Sequence, residues 1–107
     1  MSNLDFTISC TVTIFSKKIT NPPNLINGKY SPHIVIKGSE QLLGVNFIDG
    51  EDVIFDQPIR ANALPVTEDV DYSGLQAGAE FLMMEDGNVV GEGLVKEIFQ
   101  HKPYGKK

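Results

Sequence analysis

The sequence predicts an all-β protein, a single antiparallel β-barrel of about six strands that closes on itself. Residues 5–15 alternate apolar and polar side chains, and residues 79–99 form a hairpin pattern around a tight turn. No segment of helical length carries apolar residues at three- and four-residue spacing. An open sheet of this size would leave two long strand edges bare, whereas closure pairs those edges with each other.

The first strand is predicted over residues 5–15. Its apolar side chains occupy every second position: Phe6, Ile8, Cys10, Val12 and Ile14. This period of two places them on one face of a strand, and the Thr and Ile content suits a pleated, half-buried surface. Cys10 shares the apolar phase. This favours a small hydrophobic core residue over a reactive thiol, because the strand offers no cationic neighbour that would lower its pKa.

Residues 16–29 are predicted to form a long loop. Pro22 and Pro23 remove backbone donors, and the Asn27-Gly28 pair favours positive φ. A loop of this length in a small domain is either a functional element or a mobile one, and the sequence leaves both readings open.

The middle of the chain predicts three further strand segments. A β-branched run covers residues 33–37, and a second strand covers residues 41–48. The Asp49-Gly50 pair that follows is typical of a hairpin turn. Residues 53–55 are then expected to continue the sheet.

Residues 59–64 lie between Pro58 and Pro65. They predict an edge strand or a strand interrupted by bulges, since proline cannot donate to a ladder. The segment 66–79 shows little periodicity, and the glycine-containing stretch 72–78 predicts a turn.

The last predicted element is a hairpin. Strands over residues 79–84 and 89–99 flank a tight turn at residues 85–88. Met83 and Met84 are neighbours in the first of these strands and should point to opposite faces, one filling the core and the other near the surface.

The composition limits the classes of function. A chain of 107 residues fits one domain, which we place at residues 1–99, with a polar, flexible tail at residues 100–107. The formal net charge of −5 disfavours a nucleic-acid partner. A lone cysteine excludes an internal disulfide, and the first residues lack the order of a signal peptide. We therefore expect a cytoplasmic protein that does not associate with a membrane.

No catalytic, metal or cofactor site is predicted. His33 and His101 are far apart in the sequence, and no nucleophile, base and orienting group can be assembled around either of them. The carboxylates within residues 49–56 lack the regular spacing of a calcium loop, which favours a solvated turn over a cation site.

Residues 90–95 read Val-Gly-Glu-Gly-Leu-Val and follow a strand that ends in an acidic residue and a glycine turn. This hairpin resembles the closing hairpin of the third, C-terminal barrel of elongation factor Tu and its relatives. Gly91 and Gly93 lie on one face, where the lack of a side chain lets the strand bend or another segment approach closely. Upstream, residues 27–34 are similar to the family's Asn-Tyr-Arg-Pro-Gln-Phe turn into a strand, so the resemblance spans nearly the whole chain.

The resemblance implies a closed barrel that binds a macromolecule. Ser31 stands where the family has an Arg between Tyr and Pro, and the Pro22-Pro23 segment replaces the family's Gly-Gly-Arg loop. Together with the acidic charge balance, these departures disfavour transfer-RNA binding. The chain contains no Gly-x-x-x-x-Gly-Lys-Ser/Thr phosphate loop, so neither nucleotide binding nor GTP hydrolysis is expected.

We therefore expect a stand-alone protein-binding module. The alternative is a translation-related accessory that contacts tRNA or other RNA. Loops on a rigid scaffold commonly carry function, which favours the loop 16–29 and the acidic stretch 66–73 as contact surfaces; otherwise both are simply solvated. The candidate contact residues are Lys17, Lys18, Tyr30, Ser31, His33, Glu68, Asp69 and Asp71.

Overall fold

Six β-strands make up the computed structural model, which describes residues 6–101. The strands are β1 Phe6–Ile14, β2 His33–Ile36, β3 Leu43–Gly50, β4 Ile59–Pro65, β5 Glu80–Glu85 and β6 Asn88–Gln100. The predictions that concern residues 1–5 and 102–107, including most of the C-terminal tail, lie outside the described residues.

The strands close into a barrel in the order β1-β4-β3-β2-β5-β6, and β6 pairs with β1 to complete the ring. Every pairing is antiparallel. Strands β2, β3 and β4 are consecutive neighbours while β1 lies beside β4, which is a Greek-key arrangement. The prediction of an all-β, closed, six-stranded antiparallel barrel is therefore confirmed.

The alternation in β1 builds one side of the core. Its inward side chains are all buried, as the sequence predicts. Among them, Cys10 donates a hydrogen bond from Sγ to the carbonyl oxygen of Ala61 over 3.6 Å, and burial raises the pKa of the thiol to about 12. The core role of Cys10 is confirmed. So is the split between the two methionines, because Met83 is buried and Met84 is only partly covered.

Gly93 of β6 lies between β5 and β1, and its partner in β5 is Phe81. A Cβ atom on this residue would overlap the ring of Phe81 and would lie 2.8 Å from the carbonyl oxygen of Thr11. The predicted close approach is confirmed. The turn before it is also as predicted, since Asp86 and Gly87 take positive φ values of 51° and 82° and join β5 to β6 in a tight hairpin.

The Asp49-Gly50 pair is not a hairpin turn, so this prediction is wrong. Strand β3 runs through both residues, and Gly50 pairs with Ala61 after a bulge. A Cβ atom on Gly50 would lie 3.1 Å from Cβ of Leu25, so the glycine makes room for the long loop to pack against the sheet. Residues 53–55, expected to continue the sheet, belong to the irregular connection between β3 and β4.

The expectation for residues 59–64 is wrong as well. Strand β4 is not an edge strand, because it pairs with β1 on one side and with β3 on the other, and the bulge between them lies in β3. Pro58 precedes the strand and Pro65 ends it. Neither proline therefore removes a hydrogen bond from the interior of the ladder.

The direction of each strand determines at which end of the barrel the following connection lies. Since β1 and β4 are antiparallel neighbours, the connections that follow them leave at opposite ends. We call the end with residues 15–32, 51–58 and the turn 86–87 the proline end. The end with residues 37–42 and 66–79 is called the acidic end.

Candidate binding surfaces at the two barrel ends

The contact residues predicted from the sequence do not form one surface. Lys17 and Lys18 lie in the proline end, whereas Glu68, Asp69 and Asp71 lie in the acidic end. All five are exposed. The loop 16–29 and the stretch 66–73 are therefore two separate candidate surfaces on opposite sides of a rigid barrel.

The base of the acidic end is fixed by the side chain of Tyr72. This buried residue donates a hydrogen bond from its hydroxyl to the carbonyl oxygen of Gly44 over 2.6 Å and accepts one from the backbone N–H of Thr67 over 3.0 Å. Its ring meets that of Phe6 edge to face, with centroids 5.8 Å apart. Together with buried Leu75, Tyr72 holds the connection 66–79 against the core.

The acidic residues of this end project from turns whose geometry suits them. Asp69 has a φ of 67°, a conformation that Asp and Asn tolerate better than most residues. Asp71 accepts a hydrogen bond from the backbone N–H of Ser73 over 2.9 Å. Hydrogen bonds from the backbone and then the hydroxyl of Ser73 lower the pKa of Asp71, so it is ionised at neutral pH.

Two exposed apolar side chains accompany these carboxylates. Leu42 is 50% exposed and Val66 is 48% exposed. The backbone N–H of Val66 donates to the carbonyl oxygen of Gly44 over 3.1 Å, which places Val66 beside the start of β3, two residues along from Leu42. The acidic end thus combines two exposed apolar side chains with a group of negative charges.

The proline end is held to the barrel by several independent contacts. Leu25 is buried over Gly50. The backbone N–H of Asn27 donates to the carbonyl oxygen of Ile48 over 3.0 Å, and Nδ2 of Asn46 donates to the carbonyl oxygen of Gly28 over 3.0 Å. The long loop is therefore an ordered structure that packs on the barrel.

Asp56 ties the two connections of the proline end together. Its carboxylate accepts hydrogen bonds from the backbone N–H of Ser16 at 3.1 Å and from the hydroxyl of Ser16 at 2.6 Å. The hydroxyl and then the backbone N–H of Ser16 lower the pKa of Asp56, with a smaller contribution from the charge of Lys17. The basic pair predicted as a contact surface thus lies beside a fixed negative charge, which weakens it as a site for phosphate.

Tyr30 and Ser31 form the last part of the long proline-end connection and lie along β3, as does His33, the first residue of β2. The Tyr30 ring stacks on Phe47 with centroids 5.9 Å apart, and its hydroxyl donates to the carboxylate of Glu85. Burial, followed by the hydrogen bond and charge of Glu85, holds the pKa of Tyr30 well above its ordinary value.

Ser31 makes a side-chain hydrogen bond within the chain, whereas His33 has an exposed side chain. The Ser31 hydroxyl donates to the carbonyl oxygen of Val45 over 2.9 Å, so it is engaged within the chain like that of Tyr30. His33 opens β2 with an exposed side chain. As contact residues, all three stay predictions.

A cleft of about 410 Å³ opens at the proline end. Residues 22–26 of the long loop line one side and residues 51–53 line the other. This pairing could not be predicted from the sequence, in which Asp49-Gly50 has the pattern of a hairpin turn. A turn there would have carried residues 51–53 back along the sheet and away from the loop.

No metal centre is formed within residues 6–101, where no three His, Cys, Asp or Glu side chains group suitably for an ion. In the same range, no helix is long and apolar enough to cross a bilayer. No family model matches this chain, and no curated protein matches it. Its function must therefore be argued from the surfaces themselves.

Proposed function

We propose that this chain is a cytoplasmic protein-binding module without GTPase activity, and that its acidic end holds a basic protein partner. The observation that carries the proposal is the combination of exposed Leu42 and Val66 with the carboxylates of Glu68, Asp69 and Asp71. Protein interfaces commonly have an apolar centre and a polar rim, and complementary charge steers a partner onto such a patch.

The charges of this surface are not neutralised by neighbours in the described part of the chain. Lys37 lies next to the connection 37–42, but its Nζ atom is 3.1 Å from Glu80 and 3.7 Å from Glu92 on the barrel wall. None of the ion pairs found between Phe6 and His101 includes a carboxylate of residues 66–73. Within residues 6–101, no cation therefore competes with a basic partner for these carboxylates.

The relation to elongation factor Tu belongs to the same proposal. A closed, six-stranded antiparallel barrel is compatible with the third domain of that family, and the motif of residues 90–95 supports the kinship. Gly93 gives the motif a physical reason, because its missing side chain admits the ring of Phe81. A partner from the translation machinery would fit this kinship.

The test is affinity capture from native cytosol, followed by mass spectrometry, with wild-type chain and a variant neutralised as Glu68→Gln, Asp69→Asn and Asp71→Asn. These changes suit the local backbone. Asn tolerates the positive φ of residue 69, and at residue 71 its side-chain oxygen can still accept the hydrogen bond from Ser73. We expect wild-type chain to recover a basic protein and the neutralised variant to lose it.

The matched control removes the same number of charges away from the acidic end, as Asp49→Asn in β3 and as Asp52→Asn and Asp86→Asn at the proline end. All three positions are exposed, and Asn also suits the positive φ of residue 86. The control should recover the same partner as wild type. If the variant with a neutralised acidic end recovered as much partner as wild type, this surface would be rejected. If both variants lost the partner, the effect would be due to net charge and not to the acidic end.

A further inference from the structure

The cleft at the proline end, here called the proline-end cleft, has two walls of different chemistry. Residues 22–26 form one wall that carries no ionisable side chain, and residues 51–53 form the other with two carboxylates. Ile26 lines the first wall and is 40% exposed, so apolar surface is available to a ligand there. The cleft therefore offers apolar contact on one side and negative charge on the other.

The uncharged wall is preorganised in the absence of a ligand. The side-chain oxygen of Asn24 accepts a hydrogen bond from the backbone N–H of Ile26 over 2.9 Å, and Pro22 and Pro23 have fixed φ angles. Leu25, between them, is only 2% exposed and anchors the wall to the sheet. Because this wall is already ordered, a ligand that packs on it loses little affinity to ordering the protein.

The acidic wall has one carboxylate that is already engaged and one that is available. Glu51 accepts a hydrogen bond from the backbone N–H of Arg60 over 2.8 Å, and its other oxygen lies 3.5 Å from the Arg60 guanidinium. Asp52 is exposed, and no ion pair found within residues 6–101 includes it. A cation that enters the cleft would meet the Asp52 carboxylate.

The backbone of the uncharged wall also favours a ligand with hydrogen-bond donors. Pro22 and Pro23 have carbonyl oxygens but no N–H groups, so a ligand backbone finds acceptors and no donors at these two positions. Lys and Arg side chains are donors without acceptors, and they complement both these carbonyls and the acidic wall. A volume of about 410 Å³ admits a few side chains of an extended segment but not a folded domain.

We propose that the proline-end cleft is a second binding site, which takes an extended peptide segment with a Lys or Arg next to an aliphatic or prolyl side chain. The aliphatic group packs on Ile26, and the cation pairs with Asp52. This site lies at the opposite end from the acidic end, so it goes beyond the proposed function and does not depend on it. A barrel with both sites holds two partners on opposite sides.

The experiment begins by panning the whole chain against a phage-displayed library of random peptides. We expect enrichment of sequences in which Lys or Arg neighbours Ile, Leu, Val or Pro. A synthetic, fluorescently labelled peptide of the enriched sequence then gives a Kd by anisotropy. Absence of any enriched sequence, or enrichment of acidic sequences, would overturn the proposal.

Two variants of the cleft are measured with that peptide, each beside a matched control at the acidic end. Ile26→Ser removes the apolar contact without a change of charge and should raise the Kd by about tenfold or more, and Asp52→Lys should do so by about tenfold. Leu42→Ser and Glu68→Lys make the corresponding changes at exposed positions of the other end. Both controls should leave the Kd within about twofold of wild type.

The outcomes separate the two sites. If Glu68→Lys weakens peptide binding as much as Asp52→Lys does, the effect is one of net charge and the cleft is not the site. Because Ile26 and Asp52 are both exposed, neither variant should unfold the chain, and circular dichroism checks this. The acidic-end variant with residues 68, 69 and 71 neutralised should still bind the peptide, so failure at one end is distinguishable from failure at the other.

Discussion

The two ends of the barrel are closed in similar ways but present different chemistry. In the connections of the proline end, Leu25 is the buried apolar side chain, and Ile19, Val53 and Phe55 are partly buried beside the core. At the acidic end Tyr72 and Leu75 are buried, and Val70 is partly buried. Beyond these buried anchors, the connections of the proline end mix lysines with carboxylates. In the stretch 66–73, every charged side chain is a carboxylate. The comparison shows that the apolar anchors fix each loop, while the exposed residues set the charge that a partner would meet.

The anchoring also differs in its dependence on hydrogen bonds. The proline end combines Leu25 with backbone and amide hydrogen bonds from Asn27 and Asn46, whereas at the acidic end one phenol, that of Tyr72, bonds both Gly44 and Thr67. We therefore expect the free energy of unfolding to depend mainly on buried apolar volume at the proline end. At the acidic end we expect it to depend on the hydrogen bonds of Tyr72 as well.

The largest expected effect is that of Leu25→Ala. Removal of a buried leucine from an anchor against Gly50 should lower the free energy of unfolding by about 2–5 kcal/mol, as measured by chemical denaturation. Leu42→Ala, at a position that is 50% exposed, is the matched control and should change it by less than about 0.5 kcal/mol. Similar losses in both variants would show that the proline end is not anchored by Leu25.

The next effect is that of Tyr72→Phe at the acidic end. Without the hydroxyl, the N–H of Thr67 loses its partner and the carbonyl oxygen of Gly44 keeps only the hydrogen bond from Val66, which should lower the free energy of unfolding by about 1–3 kcal/mol. Tyr30→Phe makes the same change at a half-buried site, where water can reach Glu85, and should cost about 1 kcal/mol or less. The reverse order in denaturant titrations would contradict this account of the acidic end.

A smaller effect is a loss of thermal stability at acidic pH, to which one carboxylate at each end contributes. Asp56 and Asp71 each accept hydrogen bonds from a serine, and each has a pKa below its ordinary value of 3.8. A lowered folded-state pKa contributes stability that is present above the unfolded pKa and is lost as the pH falls through the folded one. The thermal midpoint should therefore drop as the pH falls below about 4.

The double variant Asp56→Asn and Asp71→Asn provides the control for this acid effect. Asn does not ionise in this range, so the midpoint of the variant should depend less steeply on acidic pH than that of wild type. Thermal melts followed by circular dichroism over the acidic range give both slopes. Parallel curves for the two proteins would show that these carboxylates add nothing to either end.

The smallest expected effect is on RNA. If the basic pair Lys17 and Lys18 made the proline end an RNA site, filter binding at low salt would retain RNA, and added salt would release it steeply. Asp56 lies beside Lys17, and the formal net charge is −5, so we expect no retention. Retention that Lys17→Glu abolishes would favour the RNA-contacting alternative over the protein-binding module.

The strands could be predicted because their side chains alternate, but the pairing of the loops could not. The alternation in β1 and the Asp86-Gly87 turn are local patterns, and both are confirmed. Asp49-Gly50 has the same local pattern as a turn, yet Gly50 lies within β3, where it pairs with Ala61 and packs against Leu25. Such a contact joins distant parts of the chain, and no local spacing reveals it.

The candidate sites illustrate the same limit. The loop 16–29 and the stretch 66–73 were predicted as surfaces from composition, and both are exposed in part. Their separation to opposite ends follows from the position of β4 beside β1, which depends on the sheet order. The proline-end cleft required residues 51–53 to be placed against the loop, and that placement depends on the bulge in β3.

Hydrogen exchange, measured on the chain alone and in complex with the partner recovered by affinity capture, tests the central claim most directly. The account predicts that exchange slows on binding in residues 38–42 and 66–71, while residues 22–26 and 51–53 exchange as in the free chain. Slowing that falls on the barrel wall or the proline end, with the acidic end unchanged, would contradict it.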